Sequence, residues 1–138
     1  MNRILGIDFG DVRVGLALSD LTHTIASPFK TFTFKSYDDL ILQLSDLIQE
    51  KDIVEIVVGL PLNMKGKITK QTIKVHEFIN LLKNSFTQNI YLIDERLSSI
   101  TAKKIMQEMN IKTGHNKEKT DQISAAIILQ EYLDSAKE

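Results

Sequence analysis

The sequence predicts an α/β fold, a five-stranded mixed sheet with helices on both faces, and three observations predict it. The chain opens with short strand patterns separated by turn residues. Residues 53–58 (IVEIVV) form a nearly continuous apolar run, the pattern of a parallel strand covered on both sides. After residue 36, helical and strand patterns alternate, and such crossovers make parallel neighbours. The predicted order is βββαβαβα, the final α comprising two successive helical stretches.

Arg3 to Asp8 reads as a short buried strand; Val12, Val14, Leu16 and Leu18 then alternate with Arg13, Gly15 and Ala17 as a second strand, with a hairpin turn at Gly10-Asp11. After Ser27-Pro28, Phe32 and Phe34 alternate with Thr31 and Thr33 as a third strand. Ser36 and Asp39 resemble a capping box, and Leu40, Ile41, Leu44, Leu47 and Ile48 fall on one face of a first helix. Gly59-Leu60-Pro61 ends the strand at 53–58. A helical pattern runs from about Thr69 to Phe86 through Val75, Phe78, Ile79 and Leu82, and Ile90 to Ile93 is a short apolar strand. Ser98 or Ser99 can cap a third helix carrying Ala102, Ile105, Met106 and Met109; Asn110 to Lys119 reads as a polar loop containing Gly114. Thr120 can cap a last helix that is apolar around most of its circumference from Ile123 to Leu133, as a packed element would be.

At 138 residues the chain is sized for one domain, 1–138, with 43% apolar and 25% charged residues as in an ordinary globular protein. No run approaches a membrane span, and MNRILGIDFG lacks the unbroken apolar stretch of a signal peptide, so the expectation is a cytoplasmic protein without a membrane partner. The absence of cysteine excludes disulfides, thiol nucleophiles and cysteine-ligated metals. His23, His76 and His115 show no metal-ligand spacing. The net charge of −1 conceals an uneven distribution. Residues 36–55 hold six acids against Lys51, whereas 65–74 hold Lys65, Lys67, Lys70 and Lys74 with no acid, and 103–119 hold five lysines against two acids. Such stretches are either solvated faces or contacts for an anionic partner.

Ligands of open α/β sheets gather beyond the carboxyl ends of the parallel strands. Asp8 ends the first strand, Asp94 and Glu95 end the fifth, and Asp121 falls in the first turn of the last helix. Asp121 also has a purely structural reading as support for a helix cap. Asp8 is harder to explain that way, because a charge beside a buried strand needs a partner such as Arg13 or Arg96. If Asp8, Glu95 and Asp121 come together, their repulsion calls for a cation or a proton. An all-oxygen donor set favours Mg²⁺ or Mn²⁺, and such ions serve phosphodiester hydrolysis. Phe9, next to Asp8, reads as a core residue rather than a base-stacking one.

The segments GIDFGDVRVGLALSD (6–20), VVGLPLNMKG (57–66), DERLSS (94–99) and KTDQISAAIILQEYL (119–133) together resemble the YqgF (RuvX) family of bacterial ribonuclease H-like nucleases over nearly the whole chain. The resemblance implies a ribonuclease H-like fold and processing of the pre-16S ribosomal RNA 5′ end, with Holliday junction cleavage as the older attribution. It carries Asp8, Glu95 and Asp121 over as the catalytic and metal-binding acids. Ser98-Ser99 and Ser124 depart from the family's commoner threonines and alanine without removing an acid. Arg13, Arg96, Lys117 and Lys119 are candidates for contact with the nucleic-acid backbone, Arg13 either holding a phosphate or neutralising Asp8. Glycines 6, 10 and 15 would allow close approach of backbone or phosphate, and Gly59, Pro61 and Gly66 would shape the loop after the central strand.

Expected partners are pre-ribosomal RNA or branched DNA, with ribosome or transcription-machinery contact, and the expected state is a monomer or homodimer. Two other classes compete with a nuclease. A non-catalytic module could grip nucleic acid with the same fold. An ATPase of the actin-like or sugar-kinase type would need a second lobe, which this length does not supply.

Overall fold

The computed structural model describes residues 2–63, 65–95, 108 and 117–136. Its first three strands, β1 (Arg3–Phe9), β2 (Arg13–Ser19) and β3 (Ala26–Thr33), form an antiparallel meander. The first turn closes where Gly10 N–H donates to Arg13 O at 3.0 Å, and Val12, expected to open the second strand, instead lies exposed in this turn. In the second turn the Asp20 carboxylate accepts from Thr24 N at 2.7 Å, Ile25 N at 3.1 Å and the Thr22 hydroxyl at 2.7 Å. These bonds, the Thr24 N–H foremost, lower its pKa to about 2. The third strand starts at Ala26, before Pro28 rather than after it. It is an edge strand, where a residue with no N–H to donate is tolerated.

Helix α1 (Tyr37–Glu50) starts as its sequence predicts: Ser36 Oγ accepts from Asp39 N at 3.1 Å, and the Asp39 carboxylate accepts in return from Lys35 N at 3.1 Å. It buries Leu40, Leu44, Leu47 and Ile48. Strand β4 (Ile53–Leu60) extends two residues past the apolar run, so Gly59 belongs to the strand and not to the loop. Helix α2 (Lys70–Ser85) is capped by Thr69, whose Oγ1 accepts from Thr72 N at 3.2 Å while Thr72 Oγ1 accepts from Thr69 N at 3.0 Å. The buried Thr72 hydroxyl also donates to Pro61 O, tying the helix to the end of β4. Strand β5 (Asn89–Asp94) follows, and α3 (Lys117–Ser135) closes the described fold.

The final helix corrects two expectations. It begins at Lys117, so Lys117 and Lys119 lie on the helix and not in a loop, and Thr120 is its fourth residue rather than its cap. Asp121 consequently sits past the first turn, which removes its reading as a capping residue. The expected helix after Ser98-Ser99 lies outside the described residues apart from Glu108.

The strand order is β3-β2-β1-β4-β5, with β4 parallel to both β1 and β5. Helices α1 and α2 cover one face in a core built on Leu5, Ile7, Val14, Leu16, Ile56 and Val58. Phe9 joins that core, its ring stacked on Phe78 with centroids 4.4 Å apart. Helix α3 covers the other face through Ala125, Ile128, Leu129 and Leu133 against Ile4, Ala17 and Val57. The carboxyl ends of β1, β4 and β5 share one edge, and the central strand delivers Asp8 there.

Candidate metal and phosphate site

Asp8 is placed by register and given room by two glycines. Across the β1–β2 ladder it faces Gly15, and the adjoining β1–β4 pair Ile7–Val58 sets Gly59 close to it on the other side. A Cβ on Gly15 would lie 2.1 Å from the backbone oxygen of Asp121, and one on Gly59 would lie 2.6 Å from Glu95 Oε1. Each glycine is therefore the seat of one further acid: α3 rests its Asp121 on Gly15, and the Glu95 side chain lies over Gly59. Helix α3 is held in that position by polar ties to β3. The Thr31 hydroxyl donates to Glu118 O at 2.7 Å, and Gln130 Oε1 accepts from Ala26 N at 2.9 Å.

The electrostatics register this convergence. The pKa of Asp8 is pushed up to about 8, first by burial and then by the negative charges of Glu95 and Asp121. Glu95 is raised as well, by burial and then by Asp94. Asp121 carries a counter-charge of its own, since Arg13 Nε donates to its Oδ2. The expectation that Arg13 neutralises Asp8 is thus revised, because the arginine pairs with the acid on the neighbouring helix. Asp8, Gly10, Arg13 and Asp121 line a cleft of about 130 Å³ together with Asp11, which accepts a 3.1 Å bond from Lys74 Nζ. The pairing of Asp11 with Lys74 had no marker in the sequence, because it joins a turn to a helix 63 residues away.

Among the described residues no three acids or histidines stand as a finished cage for a metal ion. The donor chemistry nevertheless fits a hard divalent cation. All the donors are carboxylate oxygens, and a carboxyl group kept from ionising by burial and by its neighbours' charge is one that a cation would allow to ionise. Arg96 lies outside the described residues, as does the side chain of Lys117. Lys119 is partly buried on the first turn of α3, two residues from Asp121. His76 is exposed on α2, His23 occupies a turn with a φ of 56°, and His115 is not described. A larger groove, about 520 Å³, opens between Asn2, Gln49 and Gln88 at the opposite edge of the sheet, with Asp52 as the titratable side chain in its lining.

A central parallel core, an antiparallel meander and helices on both faces define a RuvC-like fold of ribonuclease H type. RuvC of T. thermophilus in complex with a Holliday junction substrate superposes with a TM-score of 0.63 and 9% identity, covering 99% of this chain and 96% of that one. The Fowlpox virus resolvase bound to Holliday junction DNA gives 0.62 and 9%, covering 99% of both chains. The particular family follows from the sequence comparisons. The RuvX family, described as Holliday junction resolvase, matches residues 2–135, and the chain belongs to it. Relatives named "Putative pre-16S rRNA nuclease" include one from Mycoplasmopsis synoviae, 40% identical over 96% of this chain and 97% of its own length. Another, from Acetivibrio thermocellus, is 41% identical over 96% of each chain. No described helix is long and apolar enough to cross a membrane.

Proposed function

We propose that this protein is a nuclease that hydrolyses phosphodiester bonds with Mg²⁺ or Mn²⁺ held by Asp8, Glu95 and Asp121, and that it processes the 5′ end of pre-16S ribosomal RNA in the cytoplasm. The observation that carries this reading is the meeting of Asp8 with Glu95 and Asp121 at the carboxyl edge of the sheet, over Gly59 and Gly15, where burial first and then those two charges oppose ionisation of the Asp8 carboxyl. Bound there, a divalent ion supplies positive charge to the scissile phosphate and acidity to the attacking water.

The chain's own part is to assemble and balance the charges. Asp8 comes from the end of β1 and Glu95 from the residue after β5, on either side of the end of β4, and Asp121 completes the set from α3. Arg13 holds Asp121 in place and offers its remaining guanidinium N–H groups to a phosphate entering the cleft. The relatives' names favour ribosomal RNA as substrate, whereas the family description favours a four-way DNA junction as the second reading.

Cleavage of two labelled substrates, an RNA carrying the 5′ leader of 16S rRNA and a four-way DNA junction, tests both. Wild type with Mn²⁺ is expected to shorten the RNA leader, and Asp8→Asn to lose about a thousandfold or more of that rate. Equal rates for the two proteins would remove Asp8 from the site, and cleavage of the junction alone would replace the RNA reading by the second one.

A further inference from the structure

Apart from Lys74, the basic stretch at 65–74 is not used by the site described so far. Its lysines follow β4, so they emerge at the same edge of the sheet as Asp8 and Glu95. The loop is built rather than loose: Asn63 Oδ1 accepts from Lys65 N at 3.0 Å and Lys67 N at 2.9 Å, and Gly66 turns the chain with a φ of 77°. The Thr69–Thr72 capping box and the Thr72–Pro61 bond then fix where α2 begins.

The side chains this scaffold presents are exposed cations. Lys65, Lys67 and Lys70 stand in solvent, and among the described residues no carboxylate pairs with them. Lys74 lies one helical turn beyond Lys70 on the same face, and its bond to Asp11 joins the stretch to the lining of the Asp8 cleft. Helix electrostatics sharpen the point. The first turn of α1 carries Asp38 and Asp39, as the helix dipole favours, but α2 has no acid in its first turn and starts with Lys70. Folding gains nothing from gathering a helix's positive end and three lysines in one place; an anion recovers that local conflict.

We propose that the β4–α2 loop and the start of α2 form a binding track for the phosphodiester backbone of the nucleic acid cut at the Asp8 site, with Lys65, Lys67 and Lys70 as its cations and the Lys74–Asp11 pair as its junction with the cleft. The proposal rests on the nuclease reading for which bond is cut, but not for the binding itself, so binding is measured in chelator, where cleavage is suspended.

Fluorescence anisotropy of a labelled single-stranded RNA and of a labelled four-way DNA junction, titrated over a range of salt, tests it on the full chain. The K65Q/K67Q/K70Q variant is expected to bind about tenfold or more weakly, with its salt dependence reduced by about 0.7 to 0.9 per lysine removed. The K65R/K67R/K70R variant keeps the charge and is expected to keep affinity, which separates loss of cations from loss of fold. The K51Q/K83Q variant alters lysines at the opposite ends of β4 and α2 and is expected to bind as wild type does. A loss confined to one substrate assigns the track to that nucleic acid, and a loss on both assigns it to the shared backbone. Unchanged affinity and salt slope in the glutamine variant on both substrates, or an equal loss in K51Q/K83Q, would overturn the proposal. Failure of Asp8→Asn to stop cleavage would sink the nuclease site while leaving this binding result standing.

Discussion

At Asp8 burial, Glu95 and Asp121 all oppose ionisation, and the consequence reaches folding as well as chemistry. The unfolded chain ionises this group near 3.8, whereas the folded chain keeps its proton until about pH 8. Between those values the folded state holds the extra proton, so this group's contribution makes stability fall as pH rises, levelling off above pH 8. Asp8→Asn abolishes that dependence. In chelator its thermal midpoint should exceed that of wild type, by little near pH 5 and by most at pH 8 and above; a constant difference across the range would contradict the assignment. Arg13 is predicted to matter less for stability. Its pair with Asp121 leaves 32% and 22% of the two side chains exposed, so Arg13→Gln should cost about 1 kcal/mol in urea denaturation, shrinking as salt is added. The acids themselves were legible in the sequence, because each stands at a strand end or in a motif. The partner of Arg13 was not, since it depends on how α3 lies across β2.

At the level of elements, two glycines decide whether strand and helix can approach closely enough to gather the acids. A methyl group on Gly15 meets the backbone oxygen of Asp121 at 2.1 Å and its Cβ at 2.8 Å, so α3 itself must retreat. On Gly59 the collision is with Glu95 Oε1 at 2.6 Å and Ile128 Cδ1 at 2.5 Å, the ends of side chains that can rotate away. Gly15→Ala should therefore lose about 2–3 kcal/mol in denaturation together with activity. Gly59→Ala should lose activity with a smaller stability cost, because it displaces Glu95 rather than a helix. Equal stability losses would show that Gly59 is fixed by packing alone. Helix α1 could be read from its capping residues, Ser36 with Asp39, and α2 from its apolar period through Val75, Phe78, Ile79 and Leu82; the Thr69–Thr72 capping box was seen only in the fold, because Thr72 is not the acid or amide that usually marks one. The start of α3 could not, because Lys117-Glu118-Lys119 is a polar run without an apolar period and looks like loop until its contacts with β3 are known. The early start of β3 was hidden by Pro28, which is a strand breaker in an interior strand but is acceptable at an edge.

The whole molecule combines a sheet packed on both faces with an acidic centre at one of its edges. The two cores have different duties: α1 and α2 stabilise the scaffold on one face, while α3 both closes the second face and carries an acid to the centre. Period and apolar run length made this architecture readable, because they report burial directly. Charge was readable only as sign along the chain; that Lys74 meets Asp11 required the folded arrangement. If Asp8, Glu95 and Asp121 together bind a divalent cation, Mn²⁺ stabilises the folded chain, and the thermal midpoint of the full chain with and without Mn²⁺ reads this out. A Mn²⁺-dependent rise is expected for wild type and is expected to be lost or strongly reduced in Asp8→Asn, Glu95→Gln and Asp121→Asn alike. The same rise in wild type and all three variants would place the ion elsewhere and remove these three acids as its ligands.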